Sequence, residues 1–500
     1  MKQTFYAALF VAISTAVWAQ PSVVSTLYTL KKGESIRPIS EHTINMDANK
    51  GEFVLFTERE VGDEEYEYYT IINGKEYGPN PEGYIDYASY SFFGEGGNYA
   101  LTDWNDDQTE MMLTVNGKKF GPFTGVSDQI FTKQHYGFIT YATDEDDETT
   151  SEVYIDGKKI DSAPGIYGLT IEQGDKLNYA YYTEDNGNYT MVHNGKKHGP
   201  YTSLNYPSLV AGHYGWTYTD KNEQQVVVID GKEYGPYTSA MAPYFNTDGS
   251  YMIEIEKKDK QGWLLNGKEF WVDKSYGGYL NLQGKYVATY ERNGKTYINV
   301  NGKEEKNELV ANNASWDISP SANHYWVSTF DEEAQMNTLY VDGKKVNDFP
   351  SELYGVTVED NGALSYIHVQ DGITTLLFDG KEYKLPQESN LYDWNLNSTY
   401  LPERYALYIT PSGDAVFLYN NKKNKILYNP DDEYGQILTP LISKGHYLSY
   451  NPDVPEDIII DNTLYKGDGG FAYFYNPNAN AFQWLAVKGN TIQLKEFKLK

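Results

Sequence analysis

The sequence predicts an all-β protein assembled from repeated four-stranded antiparallel units, and three observations carry that prediction. Tyr, Gly and Pro number 48, 44 and 20 among 500 residues while the charged fraction is only 22%, a composition of aromatic strands and frequent turns rather than of helix or disorder. A phrase of an apolar run followed by Asn or Asp, Gly and Lys recurs nine times. Its mean spacing from Asn73 to Asp379 is about 38 residues, the scale on which whole supersecondary units repeat.

Taken from the N-terminus, the first element is a signal peptide over residues 1–19. Lys2 supplies a basic start, Phe5 to Val17 is an apolar stretch too short to span a bilayer, and Val17 and Ala19 form a small-residue cleavage site that leaves Gln20 first. No later window approaches ~18 uninterrupted apolar residues, so no membrane span is expected after signal cleavage. Periplasm, outer-membrane association or the extracellular space is the expected address. The absence of cysteine removes disulfides, thiolate metal sites and cysteine nucleophiles together.

The repeat comes next. It is written Ile72-Asn73-Gly74-Lys75 with Tyr77-Gly78-Pro79, and Val115-Asn116-Gly117-Lys118 with Phe120-Gly121-Pro122. It returns at Asp156, Asn194, Asp230, Asn266, Asn301, Asp342 and Asp379, each followed by Gly-Lys. Asn-Gly or Asp-Gly between alternating apolar residues marks a two-residue type I′ hairpin, because both central residues need positive φ. Gly235-Pro236 is expected to end the returning strand, since Pro donates no ladder hydrogen bond. Asn293-Gly294-Lys295 is off the period, where another loop belongs. A second, looser hairpin lies between successive phrases, as in Phe245-Asn246-Thr247-Asp248-Gly249-Ser250-Tyr251, so each period holds four short strands.

Four strands in about 40 residues is the content of one β-propeller blade. Here the sequence resembles the WD40-like, TolB-type propeller repeats of exported Gram-negative proteins, whose inner hairpin reads Ser-Pro-Asp-Gly before an aromatic strand. Ser319-Pro320 and Thr410-Pro411-Ser412-Gly413 keep the Pro, and Asp248-Gly249 and Asn361-Gly362 keep the turn glycine. The phrase is also similar to repeat arrays of secreted Gram-negative proteins; a WG-type repeat fits less well, because the Trp-Gly pair is missing from it. Lys32-Gly33, Asn420-Asn421, Asp461-Asn462 and Lys488-Gly489 extend the series to thirteen hairpins. A single propeller usually has four to eight blades, so two tandem propellers are expected. The joint is placed near Lys274, giving about seven hairpins in 20–274 and six in 275–500, with one large ring or an open stack as alternatives.

The chemistry is sparse. Seventy Asp and Glu face 41 Lys and Arg, a net charge of −29, which disfavours nucleic acid and anionic lipid as partners. Strand parity within a blade sends the turn lysines, such as Lys118, Lys232 and Lys344, to one end and the acidic loops to the other. Those loops include Asp106-Asp107, Asp144-Glu145-Asp146-Asp147-Glu148 and Asp331-Glu332-Glu333. Asp144, Asp146, Asp147 and Glu148 are candidate contact residues, because acidic loops have the length to touch a partner. None has the spaced pattern of a calcium loop, so no metal is assigned. His193 and His198 fall diagonally on one hairpin face, where metal ligation competes with ordinary packing. Trp104 in Asp103-Trp104-Asn105 and Trp394 in Asp393-Trp394-Asn395 sit beside polar residues and are the candidate aromatic binding positions, other aromatics being expected to pack between blades.

No catalytic residue or cofactor is assigned, because no His-Glu-x-x-His, Gly-x-Ser-x-Gly or phosphate-loop pattern occurs. The expected function is a non-enzymatic binding or scaffold protein that recognises a protein or a glycan at the cell envelope. A propeller-type glycan lyase or hydrolase using channel carboxylates, and a structural spacer, are the alternatives.

Overall fold

A computed structural model describes residues 20–499, except 37–52, 63–64, 81–90, 94–97, 106, 108, 144–148, 312–313, 351, 379, 397–402, 429–436 and 452–454. The leader expected at 1–19 and the acidic run 144–148 therefore lie outside the described residues, as does Asp106. The described chain is all-β, and its strands form twelve antiparallel sheets of propeller-blade type. Among the described residues no helix is long and apolar enough to cross a membrane.

Sheets 1 to 12 are numbered here in chain order. In sheets 1 to 11 the strands pair in sequence order, as in sheet 3, where Gly125–Phe131, Tyr136–Thr143, Thr149–Ile155 and Lys158–Ala163 lie side by side. Sheet 5 has one additional short strand, Ser208–Val210. The chain divides into two compact units, one holding residues 33–425 (sheets 1 to 10), the other the described residues of 1–32 and 426–500 (sheets 11 and 12). Lys274 opens the first strand of sheet 7, inside the larger unit.

Sheet 12 is built differently. Phe471–Asn476, Ala481–Lys488 and Thr491–Lys498 supply three strands, and the N-terminal Ser22–Thr29 supplies the fourth. The register runs from Ser22 opposite Glu496 to Thr29 opposite Thr491. This closure revises the expected hairpin count. Lys488-Gly489 joins the second and third strands of sheet 12, and Lys32-Gly33 leads from its fourth strand into sheet 1, so neither is a three-to-four turn. Eleven such turns and one non-covalent closure make twelve sheets.

The cores lie between neighbouring sheets, because each sheet buries both faces of its central strands. Val227 and Ile229 of sheet 5 pack with Ile253 and Ile255 of sheet 6, and Ile139 and Val153 of sheet 3 with Ile166 and Tyr181 of sheet 4. In the smaller unit, Leu448 and Ile458 of sheet 11 pack with Phe482 and Trp484 of sheet 12. Burying such side chains is worth roughly 1.5–3 kcal/mol each, the main source of stability for a chain without disulfides.

The turns are type I′. Asn73, Asn116, Asp156, Asn194, Asp230, Asn266, Asn301 and Asp342 have φ of 45–52°, and the glycine after each is also positive. Two expectations need correction. Gly-Pro does not end the returning strand: Lys232–Tyr237 and Lys118–Phe123 run straight through it. Gly235 and Gly121, with φ of 116° and 118°, instead mark register shifts, a bulge on the edge strand where the missing proline N–H costs no ladder bond. Second, Thr410-Pro411-Ser412-Gly413 joins the second and third strands of sheet 10, so only Ser319-Pro320 keeps the proline in the first hairpin.

Candidate functional site

Two sets of side chains repeat from sheet to sheet, one at the three-to-four turns and one on the first strands. At the turns, the Asn or Asp side chain clips the start of the second strand. Tyr214 N–H donates to Asp230 Oδ1 at 3.0 Å and Tyr325 N–H to Asp342 Oδ1 at 3.1 Å, while each turn residue's own N–H returns to the tyrosine carbonyl. The residue before the tyrosine covaries with the turn. At four of the Asp turns that residue is a histidine: His135, His213, His324 and His446 place Nδ1 2.6–2.8 Å from the second oxygen of Asp156, Asp230, Asp342 and Asp461. Where the turn has Asn116 or Asn194, the partner is Asn98 or Asn178, at 2.8 and 2.7 Å.

The turn lysines also fold back. Lys75, Lys118 and Lys232 lie 4.4–4.8 Å from the ring centres of Tyr77, Phe120 and Tyr234, and Lys118 Nζ donates to the Gly157 carbonyl of the next sheet at 2.9 Å. A shallow cavity of about 450 Å³ opens here beside His213, Asp230, Lys232 and Tyr251. Its histidine and aspartate are already paired with each other. His193 and His198 do share a hairpin face, where they pack on the next sheet: His193 on Tyr214 at 3.9 Å and His198 on Trp216 at 5.1 Å between ring centres. Burial, then the neighbouring charge of His198, holds His193 below the usual imidazole range; burial, then Lys196, does the same for His198.

The first strands carry the second set. Their pairing with the second strands is interrupted by bulges between Tyr167 and Thr170, Ser275 and Gly277, Tyr354 and Thr357, and Leu391 and Asp393. In three sheets the bulge contains Tyr-Gly, and Gly168, Gly277 and Gly355 have φ of 65°, 134° and 61°. Each of these glycines lies against an aromatic ring that comes from the next sheet, 38 or 39 residues on. A Cβ on Gly168 would lie 2.6 Å from Tyr206, one on Gly277 3.2 Å from Trp316, and one on Gly355 3.4 Å from Trp394. The rings are further held edge-on or stacked by tyrosines: Tyr206 by Tyr182 at 5.7 Å, Trp316 by Tyr279 at 6.0 Å and Trp394 by Tyr354 at 5.6 Å.

These first-strand segments expose apolar surface that the turns do not. Tyr206 is 66% exposed, and Tyr244 and Met241 of sheet 6 are 77% and 62% exposed, the three highest values among the large apolar side chains described. Trp394 is 38% exposed, with Tyr392 beside it. Two carboxylates stand next to the tryptophans. Asp317, adjacent to Trp316, accepts from Tyr279 Oη and the Ile318 N–H, and burial pushes its carboxyl above the usual range against those two bonds. Asp393, adjacent to Trp394, accepts from Tyr405 Oη at 3.0 Å.

Of the residues singled out in the sequence, Trp394 lies in this first-strand row. Trp104 lies elsewhere: it ends the second strand of sheet 2, opposite Met111, and packs against the cluster of Leu113, Phe123 and Phe138. Asp144, Asp146, Asp147 and Glu148 are outside the described residues, but the flanking Thr143 and Thr149 pair at the end of sheet 3 opposite the Asp156-Gly157 turn. Asp331-Glu332-Glu333 likewise joins the second and third strands of sheet 8, opposite Asp342-Gly343. Sequence reasoning missed Tyr206, Tyr244 and the three glycines, while Trp316, expected to pack between blades, is half-buried against the core shared by sheets 7 and 8. The available signal was Tyr-Gly at 167, 276 and 354, with an aromatic 38 or 39 residues after each glycine.

No protein family profile matches the sequence, and no curated protein matches it. Solved structures with similar architecture include the β-propeller domain of the Trilobed protease from Pyrococcus furiosus (11% identity, TM-score 0.25, covering 62% of this chain and 99% of that one). TolB from Acinetobacter baumannii (12%, TM-score 0.20, 49% and 77%) is another. A third is the extracellular domain of a candidate one-component system from B. thetaiotaomicron (9%, TM-score 0.20, 94% and 82%).

Proposed function

We propose that this chain is an exported, non-enzymatic β-propeller binding protein that engages a protein or glycan of the cell envelope through its first-strand aromatic row. One observation carries the reading. The rings of Tyr206 and Trp394 are seated on positive-φ glycines of the neighbouring sheet yet remain substantially exposed, so they are ordered before any ligand arrives. A pre-ordered ring loses little conformational freedom on binding, which is where contact energy is otherwise spent. The acidic loops opposite the turns would flank a partner and repel polyanions. A hydrolase would need two carboxyls held at a defined separation on this surface, and Asp317 and Asp393 are each engaged by a tyrosine hydroxyl.

The test uses the mature chain and its Tyr206→Ala/Trp394→Ala double variant against envelope fractions separated into protein and polysaccharide. Binding to one fraction should weaken at least tenfold in the variant, while its thermal midpoint stays within about 4 °C of the parent. Equal binding by both proteins would contradict the reading.

A further inference from the structure

We infer that the Tyr206 end of the first-strand row is an arginine-binding site, in which a guanidinium from a protein partner stacks on the Tyr206 ring and donates to the Asp128 carboxylate. The inference rests on the binding reading above and narrows it to a protein ligand that presents arginine.

Three neighbouring sheets supply the site. Asp128, in the first-strand bulge of sheet 3, has φ of 45°, and its Oδ2 accepts from the Leu169 N–H of sheet 4 at 3.1 Å. Tyr206 of sheet 5 lies on Gly168, the residue before Leu169. One bulge of sheet 4 therefore anchors both a carboxylate and a ring that is 66% exposed. Two more rings stand beside it, with Tyr182 centred 5.7 Å from Tyr206 and 5.6 Å from Tyr167, which is itself 38% exposed. The Tyr141 hydroxyl, bonded to Ser127 Oγ, completes the group. Burial raises its pKa first, the Ser127 bond opposes that, and Asp128, Tyr167 and Tyr206 raise it further, so all three stand near one hydroxyl.

The negative character here is local. Among the described residues no cation is among the groups acting on the Tyr141 and Tyr182 hydroxyls, and the Leu169 N–H is the one hydrogen-bond partner of the Asp128 side chain. Asp128 Oδ1 is thus open to a ligand. A guanidinium is flat and weakly hydrated, so it stacks on an exposed ring while its N–H donors reach a nearby carboxylate. A lysine ammonium is a strongly hydrated point charge that gains less from a ring face, and a quaternary ammonium has no N–H for Asp128.

The experiment is fluorescence-anisotropy titration of the chain from Gln20 with three labelled Gly-Ser peptides that present two arginines, two lysines or two citrullines. It is run at 0.15 M NaCl, where charges beyond ~8 Å are screened. The arginine peptide should bind about tenfold tighter than the lysine peptide, and the neutral citrulline peptide should not bind. Asp128→Asn removes the charge but keeps an oxygen for the Leu169 N–H and a residue type that tolerates positive φ, and it should weaken arginine binding about fivefold. Tyr206→Ala should weaken it about tenfold, with circular dichroism unchanged in both variants. Equal affinity for arginine and lysine peptides, or arginine binding that both variants retain, would overturn the inference in favour of diffuse attraction to an acidic chain. Competition by choline as effective as that by argininamide would overturn it in favour of a quaternary-ammonium cage. If Tyr206→Ala/Trp394→Ala loses an envelope fraction, protein or polysaccharide, while the arginine peptide does not bind the parent, the inference falls and the binding reading stands. If neither the fractions nor the peptide distinguishes parent from variants, both fall together.

Discussion

The turn ends and the first strands of the same sheets use backbone strain in opposite ways. At the turns, two consecutive positive-φ residues recur in sheet after sheet, and the side chain of the first is consumed by the second strand: Asp230 by Tyr214 N–H and His213, Asn194 by Tyr179 N–H and Asn178. On the first strands, positive φ occurs at single bulge residues, at Asp128 and Ala472 as well as at Gly168, Gly277 and Gly355, and of the rings seated on those glycines Tyr206 and Trp394 stay exposed while Trp316 is half-buried. Chemistry that repeats everywhere and is satisfied internally is architecture. Chemistry that repeats in a few sheets and leaves Tyr206 and Trp394 in water is where the proposed binding row lies.

The comparison is broken most forcefully at a turn glycine. Gly231→Val places a β-branched residue at φ 78°, with its Cβ 3.0 Å from Tyr214 Oη, and should cost about 1–3 kcal/mol. Urea denaturation should show a clear fall in midpoint; an unchanged midpoint would mean the turn is not what sets the hairpin. By contrast, Tyr206→Ala should cost little stability, because two thirds of its surface is already in water. Its thermal midpoint is the check, and a drop as large as that of Gly231→Val would make Tyr206 part of the architecture.

The two regions should also differ in the sign of their pH dependence. Asp317 has a raised pKa in the folded chain, so its contribution is fully present below the unfolded value of ~4 and is lost as pH rises through the folded value. Asp317→Asn should therefore flatten the stability curve on its upper side. His193 and His198 have lowered values, so their contribution is present above the unfolded value of ~6.5 and is lost as pH falls. His193→Gln should flatten the acid side by a smaller amount, since the ring is partly solvated. Denaturation midpoints between pH 4.5 and 8 measure both, and matching slopes for the two variants would contradict the assignment.

Much of the fold was legible because it is local. Asn-Gly and Asp-Gly dictate φ at two adjacent residues, so Asp230-Gly231 announces its hairpin without reference to the rest of the chain. The closing strand was not legible, because Ser22–Thr29 pairs with Thr491–Lys498 across nearly the whole sequence and no turn connects them. Gly235-Pro236 misled for a related reason: proline is excluded from central strands but tolerated on an edge, and edge position is a property of the sheet. At the site, Trp394 was visible as an aromatic among polar residues. Its seat on Gly355 required knowing that the first strands of successive sheets lie side by side.

Hydrogen–deuterium exchange of the chain from Gln20, with and without a saturating amount of the envelope fraction that binds it, tests the division between the two regions most directly. The account predicts ligand-dependent protection in the first-strand segments around 203–210, 239–245, 315–318 and 390–395, with no change at the Asn/Asp-Gly-Lys turns. Protection centred on the turns around Asp156, Asp230 and Asp342, with the first strands unchanged, would contradict it.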